Sequence, residues 1–343
     1  MNNSIYIQAA EQISIQEPLC EQWMEKPYLS NELFEKVKTP VFRDYINASD
    51  ARRMCSVMKC ALASSLKVLQ DAGVDKPDAI ITGTGVGSLD YTQRFLADLH
   101  ANNEQMLKPT YFMQSTHNTI GSTLGIYTKN NGYNTTYSHN GITFEEAVLD
   151  AWLQLRLNKI QNALVGGHDE MTQSYFEALQ MTGYVGQEGM VPCCGMSGAI
   201  FLSKECETAL CELAGIEIMD KPSHEAIKTA TISMLERNGL SVNDLSAIMT
   251  GVNGNSTNDK HYNNITESLF KETPTIRYKH LFGENFTSSA MSVYSAAHCL
   301  AKGFIPRHMA YGNTEPKHDE PRNILLLNYA GGRECSLILL KRC

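Results

Sequence analysis

Tyr133-Asn-Thr-Thr-Tyr-Ser-His-Asn-Gly141, followed by Ile142-Thr-Phe-Glu-Glu-Ala-Val-Leu-Asp-Ala-Trp-Leu-Gln-Leu155, is the stretch that decides the fold. Its first part is β-rich and breaks at His139-Asn140-Gly141. Its second part sets Phe144, Ala147, Val148, Ala151, Trp152 and Leu155 at helical spacing, so a strand turns sharply into an amphipathic helix. Strand, tight turn and helix in that order make a nucleophile elbow, with Ser138 where the amides of a helix N-terminus converge.

The same rhythm runs outward in both directions. Ile5-Tyr-Ile7 reads as a first strand, and a helix is predicted from Ser49 to Gly73 with Met54, Met58, Ala61, Leu62, Leu66 and Leu69 on one side. Strand 79–82 leads into Gly83-x-Gly85-x-Gly87. The third glycine is misplaced for a dinucleotide fingerprint and no acid follows at the expected ~20 residues, so the glycines mark a tight turn and not a nicotinamide site. Helices 119–127 and 142–158 and strands 162–166 and 198–202 complete one half. Helix 223–238, strand 246–250, helix 259–270, strand 274–278, helix 286–301 and strands 323–328 and 335–340 repeat it. Such alternation argues for parallel sheets covered by helices. Ile324-Leu-Leu-Leu327 is a continuous apolar run, as expected when both faces of a sheet are buried.

With 43% hydrophobic and 19% charged residues in 343, the chain reads as a well-buried globular protein. A formal charge of −8 argues against nucleic acid and gives no basic patch for anionic membranes. Met1-Asn-Asn-Ser-Ile-Tyr-Ile7 has neither the charged nor the apolar region of a secretory signal, and no apolar run approaches the ~20 residues that span a bilayer; a cytoplasmic location is expected. The ten cysteines include no Cys-x-x-Cys pair and read as free thiols. Cys193-Cys194 lie either in a loop near the site or as small buried residues before the strand Gly198-Ala-Ile-Phe-Leu202.

The segment Thr136-Tyr-Ser-His-Asn-Gly141 resembles the elbow of the thiolase-fold β-ketoacyl synthases, Thr-Ala-Cys-Ser-Ser-Gly, with the nucleophilic cysteine falling on Ser138. Gly251-Val-Asn-Gly-Asn-Ser-Thr257 stands where the family carries His-Gly-Thr-Gly-Thr; Gly254 and Thr257 match and Asn253 takes the place of the first histidine. Lys279-His-Leu-Phe-Gly283-Glu284 is similar to the family's lysine followed by Gly-His, with Glu284 replacing the second histidine. Arg52-Arg-Met54, Ile80-Ile-Thr-Gly-Thr-Gly-Val-Gly87, Phe112-Met-Gln-Ser-Thr-His-Asn-Thr-Ile-Gly121, Ala163-Leu-Val-Gly-Gly167 and Asn328-Tyr-Ala-Gly-Gly332 follow the family's order. Gln114-Ser-Thr-His-Asn-Thr-Ile120 looks most like the partner subunits for aryl-polyene and dialkylresorcinol-type pigments. The resemblance implies an α/β, thiolase-like five-layer αβαβα fold with two pseudo-repeated halves, residues 1–203 with the elbow and 204–343, and a pocket between them. It implies no cofactor and no metal.

In the family reaction a cysteine thiolate takes an acyl chain from acyl carrier protein while two histidines hold the malonyl thioester during decarboxylation. A serine hydroxyl stays protonated unless a base takes its proton, so Ser138 needs a partner. His139 points to the opposite face of an extended segment, and His117 and His168 lie on other loops. Asn253 can donate one hydrogen bond to a carbonyl but cannot carry charge or shuttle a proton. An ionised Glu284 about 4 Å from an enolate would repel it by roughly 4 kcal/mol at an effective dielectric near 20, about a thousandfold in rate. The resemblance therefore implies a non-condensing partner of an active ketosynthase, of the chain-length-factor type. Candidate site residues are Ser138, Asn253, Glu284 and Lys279, with His117, Phe112, Phe282, Phe286 and Tyr329 lining a tunnel. Two other readings stay open: an acyltransferase or thioester hydrolase using Ser138, and a homodimeric module that binds acyl carrier protein or lipid. Arg52, Arg53, Lys59 and Lys67 form either a carrier-docking surface or a solvated helix face. His168-Asp169-Glu170 are consecutive and cannot easily converge on one metal ion.

Overall fold

The computed structural model describes residues 4–312 and 320–343. The first run of elements is β1 (Tyr6–Ile13), α1 (Ala48–Ala51), α2 (Ser56–Asp71), β2 (Ala79–Gly83), α3 (Leu89–Ala101), α4 (Pro109–Ser115), α5 (Thr119–Tyr127), β3 (Tyr133–Tyr137), α6 (Thr143–Arg156), β4 (Asn162–Asp169), α7 (Gln173–Met181) and β5 (Met196–Ser203). The second is β6 (Cys211–Asp220), α8 (His224–Arg237), β7 (Ala247–Thr250), α9 (Ser256–Leu269), β8 (Thr275–Arg277), α10 (Lys279–Phe282), α11 (Ser289–Lys302), β9 (Asn323–Ala330) and β10 (Glu334–Lys341).

The strands form a continuous sheet in the order β3-β2-β4-β5-β1-β6-β10-β9-β7-β8. Read inward from each end, the two groups of five follow one order, since β8-β7-β9-β10-β6 repeats β3-β2-β4-β5-β1. They join where β1 meets β6, over Tyr6↔Glu212 and Ile7↔Cys211. Helices α6 and α11 pack against strands of both groups and against each other, forming the middle layer. Outside them, α2 and α5 cover the first group and α8 and α9 the second, which completes five layers. Ser289 to Leu300 of α11 are all buried, as a helix enclosed between the two halves of the sheet must be. Its serines settle their hydroxyls locally: Ser292 Oγ donates to Ser289 O at 2.6 Å and Ser295 Oγ to Met291 O at 2.7 Å. Among the described residues no helix is long and apolar enough to cross a membrane.

Three expectations are corrected. The sheet is mixed: β2 pairs β3 and β4 in parallel and β7 pairs β8 and β9 in parallel, whereas β5, β1, β6 and β10 run antiparallel to their neighbours. Alternation fixes parallel pairing only where a helix crosses between adjacent strands, and β4–β5 and β9–β10 are not joined by such a crossover. The helix expected from Ser49 to Gly73 breaks between α1 and α2, where the chain turns Met54 and Cys55 into the core and leaves Arg52 and Arg53 exposed. The helix expected at 286–301 starts at Ser289, because Asn285 Oδ1 first accepts from Thr287 N at 2.8 Å.

The glycine turn after β2 is used for packing. A Cβ on Gly83 would lie 2.5 Å from Thr143 O at the start of α6, so only glycine lets the helix approach the strand. Beyond it, the Asp169 carboxylate accepts from Thr84 Oγ1 at 2.7 Å and from the amides of Gly85 and Val86 at 3.0 and 2.9 Å. The amides that a phosphate would need are thus already engaged.

Candidate functional site

The elbow forms, and its tip lies two residues beyond Ser138. β3 ends at Tyr137, the backbone enters the left-handed region at Asn140 (φ 47°), and one 3-10 turn over Asn140–Ile142 precedes α6. Ser138 is exposed on the approach to this turn, while Gly141 reaches the cavity described below. The short extra turn, invisible to helical periodicity, makes the difference. Asn328 of β9 fixes the turn by donating from Nδ2 to Gly141 O at 3.2 Å and to the buried Glu145 Oε1 at 2.7 Å.

A cavity of about 450 Å³ opens between the elbow, the loop after α7, the start of α9, and the loops after β8 and β9. Lys279, Asn253 and Glu284 meet in its wall. Lys279 Nζ lies 3.0 and 2.8 Å from the two Glu284 carboxylate oxygens. Asn253 Nδ2 donates to Glu284 Oε2 at 2.8 Å and Ser288 Oγ to Oε1 at 3.2 Å. Lys279 and Glu284 are each only 6% exposed. Gly283 makes this possible: with φ 94°, it carries the chain past Cys194 Sγ, which a Cβ would meet at 2.4 Å.

This network alters the electrostatic expectation. The sequence suggests an acid that repels a developing enolate; the fold pairs that acid with Lys279, so the repulsion is largely cancelled. In exchange, the cationic donor and the amide donor are both committed to Glu284. A buried pair of this kind adds little net stability, but removing one partner leaves an uncompensated buried charge.

Of the other residues singled out from the sequence, Phe286 and Tyr329 line the cavity. Phe282 is fully buried in the core, with its ring centroid 5.3 Å from that of Trp23 and 5.9 Å from that of Tyr294. Phe112 is 57% exposed on α4, beside Phe95 at 5.4 Å. His117 is exposed over Gly87, whose Cβ would meet the imidazole at 3.5 Å. His139 is held by Glu146 at 3.0 Å and by Glu334 at 3.7 Å. His168 is buried with Nδ1 2.7 Å from Ser197 Oγ, and burial pushes its pKa down to about 3. Glu170 turns away to accept from Asp90 N at 2.8 Å. Cys193 and Cys194 are buried, with thiols pushed above their ordinary pKa by desolvation, and neither lines the cavity. Lys67 is paired with Asp71 and Glu11, and Arg52 and Arg53 remain exposed.

Sequence reasoning missed Tyr184, His261, Ser288 and Asn328. Tyr184 had a legible signal, since Gly183, Gly186 and Gly189 recur every three residues and all adopt left-handed φ (73°, 74° and 85°), which marks a shaped loop. His261 lies on the α9 face toward the cavity; the helix expected from 259 begins at Ser256, because Asn255 caps the amides of Thr257 and Asn258.

A family profile described as "Beta-ketoacyl synthase, N-terminal domain" matches residues 21–254. Among solved structures the chain is similar to the ishigamide ketosynthase/chain length factor, with TM-score 0.85 and 16% identity over 99% of both chains. It is also similar to the ketosynthase ApeO in complex with its chain length factor ApeC from Xenorhabdus doucetiae, with TM-score 0.79 and 15% identity over 99% of this chain and 98% of that one. A beta-ketoacyl synthase from Burkholderia phymatum STM815 gives TM-score 0.78 and 13% identity over 99% of both chains. At such identities the likeness is one of fold. No curated protein matches the chain significantly.

Proposed function

The chain belongs to the β-ketoacyl synthase family, and from that membership we propose that it is a non-condensing subunit of the chain-length-factor type. It pairs in the cytoplasm with an active ketosynthase that extends a fatty-acid or polyketide chain on acyl carrier protein. One observation carries the reading: in the cavity wall Lys279 and Asn253 are both spent on Glu284, and no cysteine is among the residues that line the cavity. Condensation needs a nucleophile that can hold the acyl chain and free donors aimed at the developing oxyanion. Neither requirement is met by these side chains. The Ser138 reading loses support because Ser138 lies outside the cavity and the adjacent His139 is engaged by two carboxylates.

This reading assigns the partner to the β3 edge. β3 is an edge strand carrying the exposed Tyr133; Ile126 on the adjoining α5 is exposed, as are Phe112 and Met113 on α4 and Leu96 on α3 farther out. Unpaired strand edges and exposed apolar side chains together favour association. Two of the similar structures join a ketosynthase and a chain length factor, which supports a heterodimer over a homodimer.

Co-expression with a cysteine-bearing ketosynthase of this family tests the reading. The expected result is a stable one-to-one complex that elongates carrier-bound chains, while this chain alone neither releases carbon dioxide from malonyl thioester nor extends an acyl group. Unaided extension by the purified chain, or a chain that stays alone beside every such synthase, overturns it.

A further inference from the structure

We propose that Asn140, at the tip of the elbow, is a site of self-modification: the backbone amide of Gly141 closes on the Asn140 side chain, and water opens the ring to leave an aspartate or an isoaspartate at the cavity rim. The inference goes beyond the non-condensing reading and does not depend on it.

The sequence holds four Asn-Gly pairs, at Asn131, Asn140, Asn238 and Asn253. All share the same local chemistry, since glycine has no Cβ to hinder attack by its own nitrogen. The fold separates them. Gly132 N donates to Asn130 Oδ1 at 2.6 Å. Gly239 N donates to Glu236 O at 2.9 Å, and Asn238 Nδ2 to Met234 O at 2.8 Å. Gly254 N donates to Asp259 Oδ2 at 2.9 Å, while the buried Asn253 gives its Nδ2 to Glu284. Each of these amides must break a hydrogen bond before it can turn on the neighbouring carboxamide.

Asn140-Gly141 differs. Among the described residues neither Gly141 N nor the Asn140 carboxamide has a hydrogen-bond partner, and Asn140 is exposed to water. The reason lies in the elbow. Asn140 takes the left-handed conformation (φ 47°) and opens a single 3-10 turn, whose first hydrogen bond runs from Ile142 N to His139 O. Gly141 N precedes that bond and, like the leading amides of any helix, has no carbonyl behind it to accept.

The reaction consumes only water. Hydroxide takes the proton of Gly141 N, the nitrogen attacks Asn140 Cγ, the N–Cγ bond forms, the Cγ–Nδ2 bond breaks and ammonia leaves. Water then adds to one or the other carbonyl of the succinimide ring. Opening at Cγ gives aspartate; opening at the main-chain carbonyl gives isoaspartate, whose backbone runs through the side-chain carbon. Either product is felt at the cavity, because Gly141 lines it and its carbonyl accepts from Asn328 Nδ2 at 3.2 Å. Aspartate adds a negative charge beside His139, which Glu146 and Glu334 already hold. Isoaspartate lengthens the main chain directly before the Gly141 contact.

Incubation of the purified full chain at mildly alkaline pH, followed by peptide mapping and by carboxyl methylation specific for isoaspartate, tests the proposal. In the folded chain Asn140 is expected to convert about tenfold faster than Asn131, Asn238 or Asn253, the order of ratio that one held amide hydrogen bond sets. In the urea-unfolded chain the four sites should convert at similar rates, because no amide is held. Asn140→Gly, which suits the left-handed turn and removes the carboxamide, should abolish most of the isoaspartate label of the folded chain. Conversion at Asn140 no faster than at the other three sites overturns the proposal, as does a folded chain that never converts there while the unfolded chain does. A preference for Asn140 that persists undiminished in urea, or a label that stays at the parent level in Asn140→Gly, overturns it too. None of these readouts involves a ketosynthase, so either reading can fail alone.

Discussion

The two ends of the sheet are built from strands in the same position of the same order, yet one is closed and the other open. At the far end of the second half, Ile276 of β8 bridges to Ala310, Tyr311 N donates to Thr275 O at 2.9 Å, and the Arg277 guanidinium lies over the Tyr311 ring at 5.3 Å. The chain covers its own edge there. At the far end of the first half, β3 is half-exposed, and Ile126 beside it is 75% exposed and Met113 67% exposed. The covered strand runs directly into Lys279 and so holds the cavity wall, while the open strand runs into the elbow and faces outward. A repeated architecture has been divided into one edge that supports the site and one that is left bare.

The strongest way to break this comparison is at the covered end. Lys279→Met should destabilise the chain by about 3–5 kcal/mol in urea unfolding, because Glu284 is left charged and buried without its cation. Replacing both residues by apolar ones should recover most of that loss. If Lys279→Met is as stable as the parent, the pair is not the anchor of the covered edge. Next in size, Ile276→Ala on β8 should lose about 2–4 kcal/mol, as core truncations do, whereas Phe112→Ala with Met113→Ala on α4 should change stability by less than about 1 kcal/mol. The same double substitution should weaken complex formation with a ketosynthase by tenfold or more in a binding titration, an effect Ile276→Ala should not reproduce in folded protein.

The smallest effect asks whether the open half is nevertheless tightly packed inward. His168 on β4 is neutral in the folded state, with its pKa lowered from 6.5 to about 3. The unfolded chain takes up a proton below about pH 6.5 that the folded chain refuses, so stability falls as pH drops from there toward 3. At pH 5 the loss is about 2 kcal/mol. Glu11, pushed up to about 8 mainly by burial, acts with the opposite sign: its contribution is present below about pH 4.5 and fades as pH rises through 8. The clean measurement is therefore the urea-unfolding difference between the parent and His168→Gln, which should shift by about 2 kcal/mol in favour of the variant between pH 7 and pH 5. No shift would mean that His168 is hydrated.

Much of the fold was legible from local pattern. Hydrophobic periodicity marked α6, α8 and α11 to within a few residues, and apolar runs marked β5 and β9. α3, α4 and β6 escaped it. Leu89 is the one buried residue of α3 and α4 has none, so their apolar residues face outward or toward each other and carry no core-facing stripe. β6 is interrupted by Glu212, Gly215 and Glu217, so it presents no unbroken apolar run in sequence. Of the site, the positions of Asn253, Glu284 and Lys279 could be read from motif spacing, but not that Lys279 and Glu284 would pair.

The sequence by itself determined the αβ alternation, the strand-turn-helix elbow, and that an asparagine, a lysine and a glutamate stand at 253, 279 and 284, because each of these is written in residue type and short spacing. Only the tertiary structure decided that Ser138 lies outside the cavity, that Glu284 is neutralised by Lys279, and that one sheet edge is covered and the other bare. Those outcomes depend on distances between residues far apart in the chain, and such distances are set by how strands order and helices pack.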